Sequence, residues 1–197
     1  IESKRVITCP DGTYADDSTK HCETGCSGSF FADPGINKCV QICQTQNLYS
    51  DVDSGNKCVA LCNQAGSTPF RDPTAKKCVN ICPVDKKLFA DITAKSCVYN
   101  CTPGTYAYDN SPTDTNKTCV NNCPGLFFAD NSTGYGTCVL RCPEDPILFG
   151  DVIGVQRLCV SVCQTSKFGD QDPLNGRLCV STCPSGWFAQ NDGLEDV

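Results

Sequence analysis

The cysteines of this chain recur in pairs of one design along almost its whole length. Of the 19 cysteines in 197 residues, 18 form nine Cys-x-x-x-Cys pairs, and a new pair begins every 17 to 22 residues. A fixed period near twenty residues is typical of repeat arrays, in which one small unit is stacked many times. Cys9 stands alone in front of the pairs, which are Cys22/Cys26, Cys39/Cys43, Cys58/Cys62, Cys78/Cys82, Cys97/Cys101, Cys119/Cys123, Cys138/Cys142, Cys159/Cys163 and Cys179/Cys183.

The cysteine content and the shortage of large aliphatic residues indicate how such a unit is stabilised. Cysteine at this frequency is typical of disulfide scaffolds, and dense cysteine without a metal-binding pattern indicates the secretory route or the cell surface. Each repeat holds only a few apolar side chains, so a single large core is not expected. We predict a small disulfide-rich fold, mostly β or irregular. It would form an elongated, solenoid-like rod of about ten stacked single-disulfide β-hairpins.

Aligned on their cysteines, the repeats share a common order of residues. Val follows the first cysteine of eight pairs, and an aromatic residue precedes an Asp by two or three positions. The aromatic stretch favours extended chain, and the Asp carboxylate can accept hydrogen bonds from N–H groups two residues later, which begins a turn. This order predicts one short β-hairpin per repeat, with the aromatic and Asp residues at Tyr14/Asp16, Phe31/Asp33, Tyr49/Asp51, Phe70/Asp72, Phe89/Asp91, Tyr106/Asp109, Phe128/Asp130, Phe149/Asp151 and Phe168/Asp170.

A single hairpin of this size needs covalent closure. Two-stranded hairpins are marginal in water, and closing a loop of this length contributes roughly 3 kcal/mol in the chain-entropy model. Two connectivities remain open: a ladder from the second cysteine of one pair to the first of the next, and a crossed pattern of first to third and second to fourth. The ladder is the simpler and is the one we expect, with disulfides Cys9–Cys22, Cys26–Cys39, Cys43–Cys58, Cys62–Cys78, Cys82–Cys97, Cys101–Cys119, Cys123–Cys138, Cys142–Cys159 and Cys163–Cys179.

The ladder leaves Cys183 without a partner and divides the chain into three segments. We expect a cysteine-free segment at residues 1–8, the tandem repeats at 9–183, and an incomplete last repeat at 184–197. The unpaired Cys183 suggests that the array continues beyond the last residue, the alternative being an intermolecular disulfide. Because the first residue is Ile1 rather than Met, we also expect that a signal peptide was removed or that the chain is part of a longer protein.

The order Cys-Val-x-x-Cys-Pro, aromatic, Asp, Cys-Val-x-x-Cys resembles the single-disulfide modules of growth-factor-receptor cysteine-rich regions, often called furin-like repeats. The likeness covers Cys9 to Phe188 and is strongest from Cys78 to Val98 and from Cys138 to Val160. A long regular array is also similar to cysteine-rich surface proteins of ciliated protists. The resemblance implies a rod of stacked one-disulfide loops with the ladder pairing, although the chain lacks the two-disulfide units of the receptors. Such rods serve as spacers, ligand-binding arms and coats, so the motif is specific for architecture rather than function.

Two kinds of metal site are suggested by parts of the pattern, and we expect neither. Cys-x-x-x-Cys lies within the spacing of structural zinc sites, but the array has no accompanying His ligands and an odd number of cysteines. Asp51, Asp53 and Gly55 match the first half of a calcium loop, but Cys62 stands where the loop requires Glu. One Asp per repeat is explained more simply by a turn. We predict no metal site and no cofactor.

Catalysis, nucleic-acid binding and membrane insertion are also not expected. The only histidine, His21, lies beside Cys22, whose oxidation would leave no thiolate nucleophile. No hydrolase, metalloprotease or phosphate-loop motif occurs, so we predict no catalytic residue and no enzyme. The net charge is −6 and a basic stripe is missing, so nucleic acid is not expected as a partner. No apolar run approaches the 18 or so residues of a spanning helix.

Acceptor sequons predict covalent N-glycans. Asn116-Lys117-Thr118 and Asn131-Ser132-Thr133 lie in turn segments, and we expect Asn116, Asn131 or both to carry a glycan. Asn100-Cys101-Thr102 also fits the sequon. Its middle cysteine is expected in a disulfide, which hinders modification, so Asn100 is the weaker candidate.

The function is therefore inferred from the architecture. The first hypothesis is an extracellular structural protein, a rod or a segment of a fibril or surface coat, whose partners are copies of itself. At about 10 Å per repeat, ten repeats would reach on the order of 100 Å. The alternative is a binding module, the ligand-binding ectodomain or adhesin arm of a cell-surface receptor. This alternative predicts one repeat with an unusual surface, and the candidates are residues 100–123, the longest and most polar repeat, and residues 144–155, the most apolar segment.

Overall fold

The computed structural model describes residues 8–109, 117–170, 176–186 and 188. The chain divides into two compact units, each of which is described by itself: unit 1 contains residues 1–99 and 110–118, and unit 2 contains residues 100–109 and 119–197. Regular structure in the described residues is almost entirely β, and its single helical element is a 3₁₀ turn at Val84–Lys86. The described part of the chain contains no helix that combines the length and the apolarity needed to cross a bilayer.

The strands are very short, and most have three residues. Those of unit 1 are β1 (Tyr14–Asp16), β2 (His21–Glu23), β3 (Phe31–Asp33), β4 (Lys38–Val40), β5 (Tyr49–Asp51), β6 (Lys57–Val59), β7 (Phe70–Asp72), β8 (Lys77–Val79), β9 (Phe89–Asp91) and β10 (Ser96–Val98). Those of unit 2 are β11 (Tyr106–Tyr108), β12 (Thr118–Val120), which begins at the last residue of unit 1, β13 (Phe128–Asp130), β14 (Thr137–Val139), β15 (Phe149–Ile153), β16 (Gln156–Val160), β17 (Phe168–Gly169) and β18 (Cys179–Val180).

Each repeat forms the predicted antiparallel hairpin, and repeat 2 is representative. Its first strand carries the aromatic residue and the Asp, and its second strand ends in Cys-Val. Phe31 lies opposite Val40, and Asp33 lies opposite Lys38. The hairpin turns where the sequence predicts, because an Asp33 carboxylate oxygen accepts the N–H of Gly35, two residues later, at 3.0 Å. Directly opposite residues on one face of a hairpin stabilise each other, which explains why the aromatic residue and the Val recur together.

Consecutive repeats are joined by one parallel β contact in a constant register. The middle residue of a first strand lies opposite the residue that precedes the closing cysteine of the following repeat, as Ala32 does with Lys57, which precedes Cys58. The N–H of Ala32 also donates to the carbonyl of Asn56 at 2.9 Å. The same backbone bond recurs in unit 1 at Ala15/Asn37, Ser50/Lys76, Arg71/Lys95 and Ala90/Lys117, and in unit 2 at Ala107/Gly136 and Gly150/Arg177.

Nine disulfides close the repeats in the ladder connectivity. They are Cys9–Cys22, Cys26–Cys39, Cys43–Cys58, Cys62–Cys78, Cys82–Cys97, Cys101–Cys119, Cys123–Cys138, Cys142–Cys159 and Cys163–Cys179. Cys183 is a free cysteine of intermediate exposure. We number the repeats 1 to 9 by these disulfides, in chain order.

The apolar interior is divided into small clusters, each built between two neighbouring repeats. Phe70 and Val79 of repeat 4 pack against Cys82, Cys97 and the fully buried Leu88 of repeat 5. Equivalent clusters bring Phe31 and Val40 onto Cys43–Cys58, and Phe128 and Val139 onto Cys142–Cys159. The aromatic residue and the Val of one repeat therefore pack on the disulfide of the next. This arrangement confirms the predicted class of small disulfide-rich β repeats without a large core.

Candidate functional site

The feature that recurs through the described chain is the contact surface between two consecutive repeats, which we call the junction. It combines the apolar cluster with a buried carboxylate and, at several places, a cation above an aromatic ring. Each element comes from a different position of the repeat, so the junction recurs with the period of the sequence. The junction is a structural site, and its chemistry is hydrogen bonding and packing.

Asp33 shows how the carboxylate joins two repeats. Its side chain is fully buried in the folded chain. One oxygen accepts the Gly35 N–H within its own turn and the Thr45 hydroxyl at 2.6 Å. The other oxygen accepts the N–H groups of Gln44 at 2.9 Å and Thr45 at 3.0 Å. Gln44 and Thr45 directly follow Cys43, the cysteine that opens repeat 3, so this carboxylate fixes the start of one repeat to the turn of the previous one.

These hydrogen bonds also set the ionisation of Asp33. Burial acts to raise its pKa, but the bonds donated by the Thr45 hydroxyl and by the N–H groups of Thr45, Gly35 and Gln44 favour the charged form. The hydrogen bonds prevail, and the pKa of Asp33 lies below its ordinary value of 3.8. The carboxylate is therefore charged at neutral pH although no cation among the described residues forms an ion pair with it.

The residue that follows the second cysteine of a pair is the recurring donor. Oδ2 of Asp51 accepts the N–H of Asn63 at 3.1 Å, and Oδ2 of Asp151 accepts the N–H of Gln164 at 3.3 Å. Asp151 is further bonded by the ammonium group of Lys167. The buried Asp is thus more than a local turn residue, because it also binds the backbone of the next repeat.

Proline at the donor position changes this arrangement, since proline has no N–H. Pro83 follows Cys82, and Oδ2 of the fully buried Asp72 has no hydrogen-bond partner. Pro143 follows Cys142 in unit 2, where Oδ2 of Asp130 accepts the hydroxyl of Ser132 instead, at 3.1 Å. The junctions are therefore alike in fold and unequal in hydrogen bonding.

Two further elements of the junction did not emerge from the sequence. A cation lies above the aromatic ring of the preceding repeat, and it comes from the position two residues before the first cysteine. The pairs are Lys76 over Tyr49 at 5.7 Å from the ring centroid, Lys117 over Phe89 at 6.0 Å and Arg157 over Phe128 at 4.5 Å. The sequence signal was the recurrence of Lys, Arg, Asn or Gly there, residue types that tolerate a left-handed backbone or supply a cation.

The second missed element is a close approach of ring to backbone. A Cβ atom placed on Gly150 would lie 2.7 Å from ring atoms of Phe128, and one on Gly169 would lie 2.7 Å from the ring of Phe149. Most other repeats carry Ala at this middle position of the first strand. The ring of one repeat thus covers the middle residue of the next, which explains why that residue is small in most repeats. The exception is Arg71, whose guanidinium lies 5.8 Å from the centroid of the Tyr49 ring.

The residues considered for metal binding form hydrogen bonds within the protein. Asp51 accepts the Asp53 N–H and the Ser54 hydroxyl, and the Asp53 carboxylate accepts the N–H and hydroxyl of Thr68, each at 2.8 Å. The Thr68 hydroxyl is the chief cause of a lowered pKa at Asp53. Within the described residues no group of three His, Cys, Asp or Glu side chains is placed to hold a metal ion. His21 lies exposed on β2.

The glycan candidates differ in their surroundings. Asn131 is exposed in the turn after β13, beside its exposed sequon residue Thr133. Asn100 is exposed as well, but its sequon contains the buried, disulfide-bonded Cys101. Asn116 lies outside the described residues, as does part of the polar repeat at 100–123.

The apolar segment at residues 144–155 carries the most exposed aliphatic side chain of the described surface. Strands β15 and β16 are five residues long, against three in most other repeats, and the hairpin extends to a turn at Gly154. Ile147, Val152 and Val155 are exposed, and Val155 retains 92% of its accessible surface. This hairpin is therefore formed by the longest described strands of unit 2 and presents an exposed Val155 beside its turn.

Comparison with known proteins identifies no relative of this chain. No family model matches the chain, and neither a curated protein nor a solved structure is significantly similar to it.

Proposed function

We propose that the chain is an extracellular structural repeat protein, a segment of a rod, fibril or surface coat. The observation that supports this role is the recurrence of one junction along each unit. The aromatic residue of one repeat packs on the disulfide of the next at three junctions, and a buried Asp bonds the backbone of the next repeat at three. Repeats that contact only their neighbours can be added without enlarging a core. The role requires no catalytic group, cofactor or metal ion.

The disulfides support the extracellular part of the proposal. Nine disulfides close the repeats, and disulfides form and persist in oxidising compartments and at cell surfaces. Without them, hairpins with three-residue strands would have little to stabilise them in water. A reducing cytosol would thus remove the main covalent support of the fold.

Glycosylation at Asn131 belongs to the same proposal. The side chain is exposed in a turn, and glycans on such turns would limit lateral contacts between copies. Mass spectrometry of protein secreted from a eukaryotic host should find a glycan on the Asn131 peptide, and N131Q should lack it. Unmodified Asn131 in fully secreted protein would remove this part of the proposal.

Electron microscopy of the purified, non-reduced protein tests the structural role directly. We expect rods or ordered filaments, and protein that has been reduced and alkylated should form neither. A non-reduced protein that stays monomeric and compact at high concentration contradicts the proposal. Fully alkylated protein that forms the same filaments contradicts the link between disulfides and assembly.

The β15–β16 hairpin supports a second candidate, a ligand-binding or adhesin arm. Its exposed Val152 and Val155 supply the unusual surface that this function predicts. The double variant V152S/V155S should abolish cell-surface adhesion if the chain is an adhesin arm. Filament formation should survive in the same variant if the structural role is correct, so the two assays separate the candidates.

A further inference from the structure

Positive charge is concentrated in part of unit 1 although the whole chain is acidic. Between residues 54 and 99 there are seven cations and three acids, in a chain whose net charge is −6. Two of the acids, Asp72 and Asp91, are buried, and the third, Asp85, pairs with Lys86 at 3.2 Å. The exposed charge of this region is therefore strongly positive, which the overall charge of the sequence conceals.

Five of these cations share one edge of the stacked repeats, the edge formed by the hairpin turns. Because the register between repeats is constant, equivalent turn residues follow one another along the stack. The guanidinium of Arg71 reaches the same edge, since it donates to the carbonyls of Ala94 and Lys95 in the next turn. We call this surface the basic edge, and it consists of Lys57, Arg71, Lys76, Lys77 and Lys95.

The cations of the basic edge form no ion pair among the described residues. The nearest carboxylate in sequence, Asp53 in the same turn as Lys57, is bonded by Ser67 and Thr68 instead. No carboxylate of the described residues lies within 4.0 Å of any of its five cations, whereas Lys38, in the preceding repeat, is bound by Asp17 at 2.8 Å. Lys57, Lys77 and Lys95 are exposed. Arg71 and Lys76 both lie near the ring of Tyr49, at 5.8 and 5.7 Å from its centroid, which holds two cations close together in fixed positions.

We propose that the basic edge binds a linear acidic polysaccharide. Two strands per repeat place successive turns about 10 Å apart, so the cations form a sparse row rather than a dense patch. A polysaccharide with a carboxylate or sulfate group on every sugar or every second sugar supplies charges at comparable intervals. Duplex nucleic acid carries a charge about every 1.7 Å and is bound by denser cation clusters. The choice of a polysaccharide as the polymer rests on the extracellular location that we propose for the chain. The inference does not require that the chain forms filaments.

Binding to immobilised polymers of matched length tests this inference. We expect the intact chain to bind dextran sulfate and polygalacturonate, to ignore neutral dextran, and to lose affinity as salt is raised, because exposed charges are screened. Tighter binding to duplex DNA than to both acidic polysaccharides would overturn the choice of partner. Absence of binding to both polysaccharides at physiological salt would overturn the site.

A pair of charge-matched variants locates the interaction. K57Q/K77Q/K95N removes three exposed cations from the basic edge, and K86Q/K87N/R141Q removes three from elsewhere. Asn is used at positions 95 and 87 because both have left-handed backbones, with φ of 51° and 55°. We expect the first variant to bind about tenfold more weakly, because the loss of three exposed ion pairs lowers an affinity by about that factor. The second variant should bind with little change.

Equal loss in both variants would show that net charge, not the basic edge, governs binding, and would refute the inference. Non-reducing thermal unfolding establishes that each variant remains folded. Filament formation is scored separately by electron microscopy. A chain that binds polysaccharide without forming filaments refutes only the proposed assembly, and filaments without polysaccharide binding refute only the basic edge.

Discussion

Asp72 keeps a buried carboxylate oxygen without a hydrogen-bond partner, and Pro83 stands at the position that supplies the missing donor in other repeats. Gln44 and Asn63 occupy that position after their cysteines, and each donates its N–H to the buried Asp of the preceding repeat. A buried acceptor that is left unsatisfied costs free energy, because it has lost water without gaining a partner. The junction between repeats 4 and 5 is therefore weaker in hydrogen bonding than its neighbours.

Replacing Pro83 by Ala should stabilise the protein. The new N–H can bond Asp72 Oδ2, and hydrogen bonds to charged groups contribute about 1.5–3 kcal/mol. The greater freedom of Ala in the unfolded chain offsets about 0.4–1 kcal/mol of this gain. We expect a net increase of about 1 kcal/mol in the free energy of unfolding, measured by denaturant titration without reductant.

Pro143→Ala is the matched control for that experiment. Asp130 already receives the Ser132 hydroxyl on the corresponding oxygen, so a new N–H there relieves no orphaned acceptor and gains less. The unfolded-state effect of losing proline should then dominate, and P143A should be neutral or slightly destabilising. Equal stabilisation by P83A and P143A would contradict the role assigned to the donor position.

Asp33→Asn should weaken the protein and make its stability less sensitive to acid. The folded-state pKa of Asp33 lies below 3.8, so its contribution is fully present above the unfolded-state value and is lost as pH falls through the folded-state value. We expect D33N to lose about 2 kcal/mol at pH 7, where it removes hydrogen bonds to a charged group. The difference from wild type should shrink below about pH 4. Thermal unfolding across pH measures both effects.

The control for this series is Asp85→Asn. Asp85 is exposed, and among the described residues its ion pair is with Lys86. Its loss should therefore change stability little at any pH, as is usual for surface ion pairs. If D33N and D85N show the same pH profile, the buried carboxylate is not the source of acid sensitivity.

Gly150→Ala should destabilise unit 2 by about 1–3 kcal/mol, because its Cβ would meet the Phe128 ring at 2.7 Å. Gly25→Ala is a suitable comparison, since a Cβ at Gly25 meets no atom within 4 Å, and its φ is not in the left-handed region. Shortening the ring to Leu in the double variant F128L/G150A should recover part of the loss. A stable G150A protein would show that the ring does not pack on the middle residue.

The hairpin of each repeat could be predicted from the sequence, because each recurring residue type of the repeat favours one position in a hairpin. Cysteine spacing fixed the period, and the order of aromatic residue, Asp and turn formers predicted a hairpin in each repeat. The class of small disulfide-rich β repeats is confirmed, as in repeat 2, where Asp33 ends the first strand and begins the turn. The hairpin and its turn depend on residues that lie close together in the chain, so the sequence alone predicts them.

The junction was less predictable because its partners lie in different repeats. The sequence indicated that Asp33 accepts from its own turn, but it did not reveal the bonds from Gln44 and Thr45. Nor did it show the basic edge, since Lys57 and Lys95 are 38 residues apart in the chain and become neighbours in a row only through the constant register. The hypotheses of a coat, a fibril and glycans remain proposals.

A non-reducing peptide map tests the central claim, that single-disulfide repeats are joined in series. Free thiols are first alkylated, and the protein is then cut by a protease that cleaves after aliphatic residues, because Val separates the cysteines within eight of the pairs. The account predicts linked peptides such as Cys43–Cys58 and Cys62–Cys78, with alkylation at Cys183 alone. Peptides that link Cys39 to Cys58 and Cys43 to Cys62, or free thiols throughout the native chain, would contradict it.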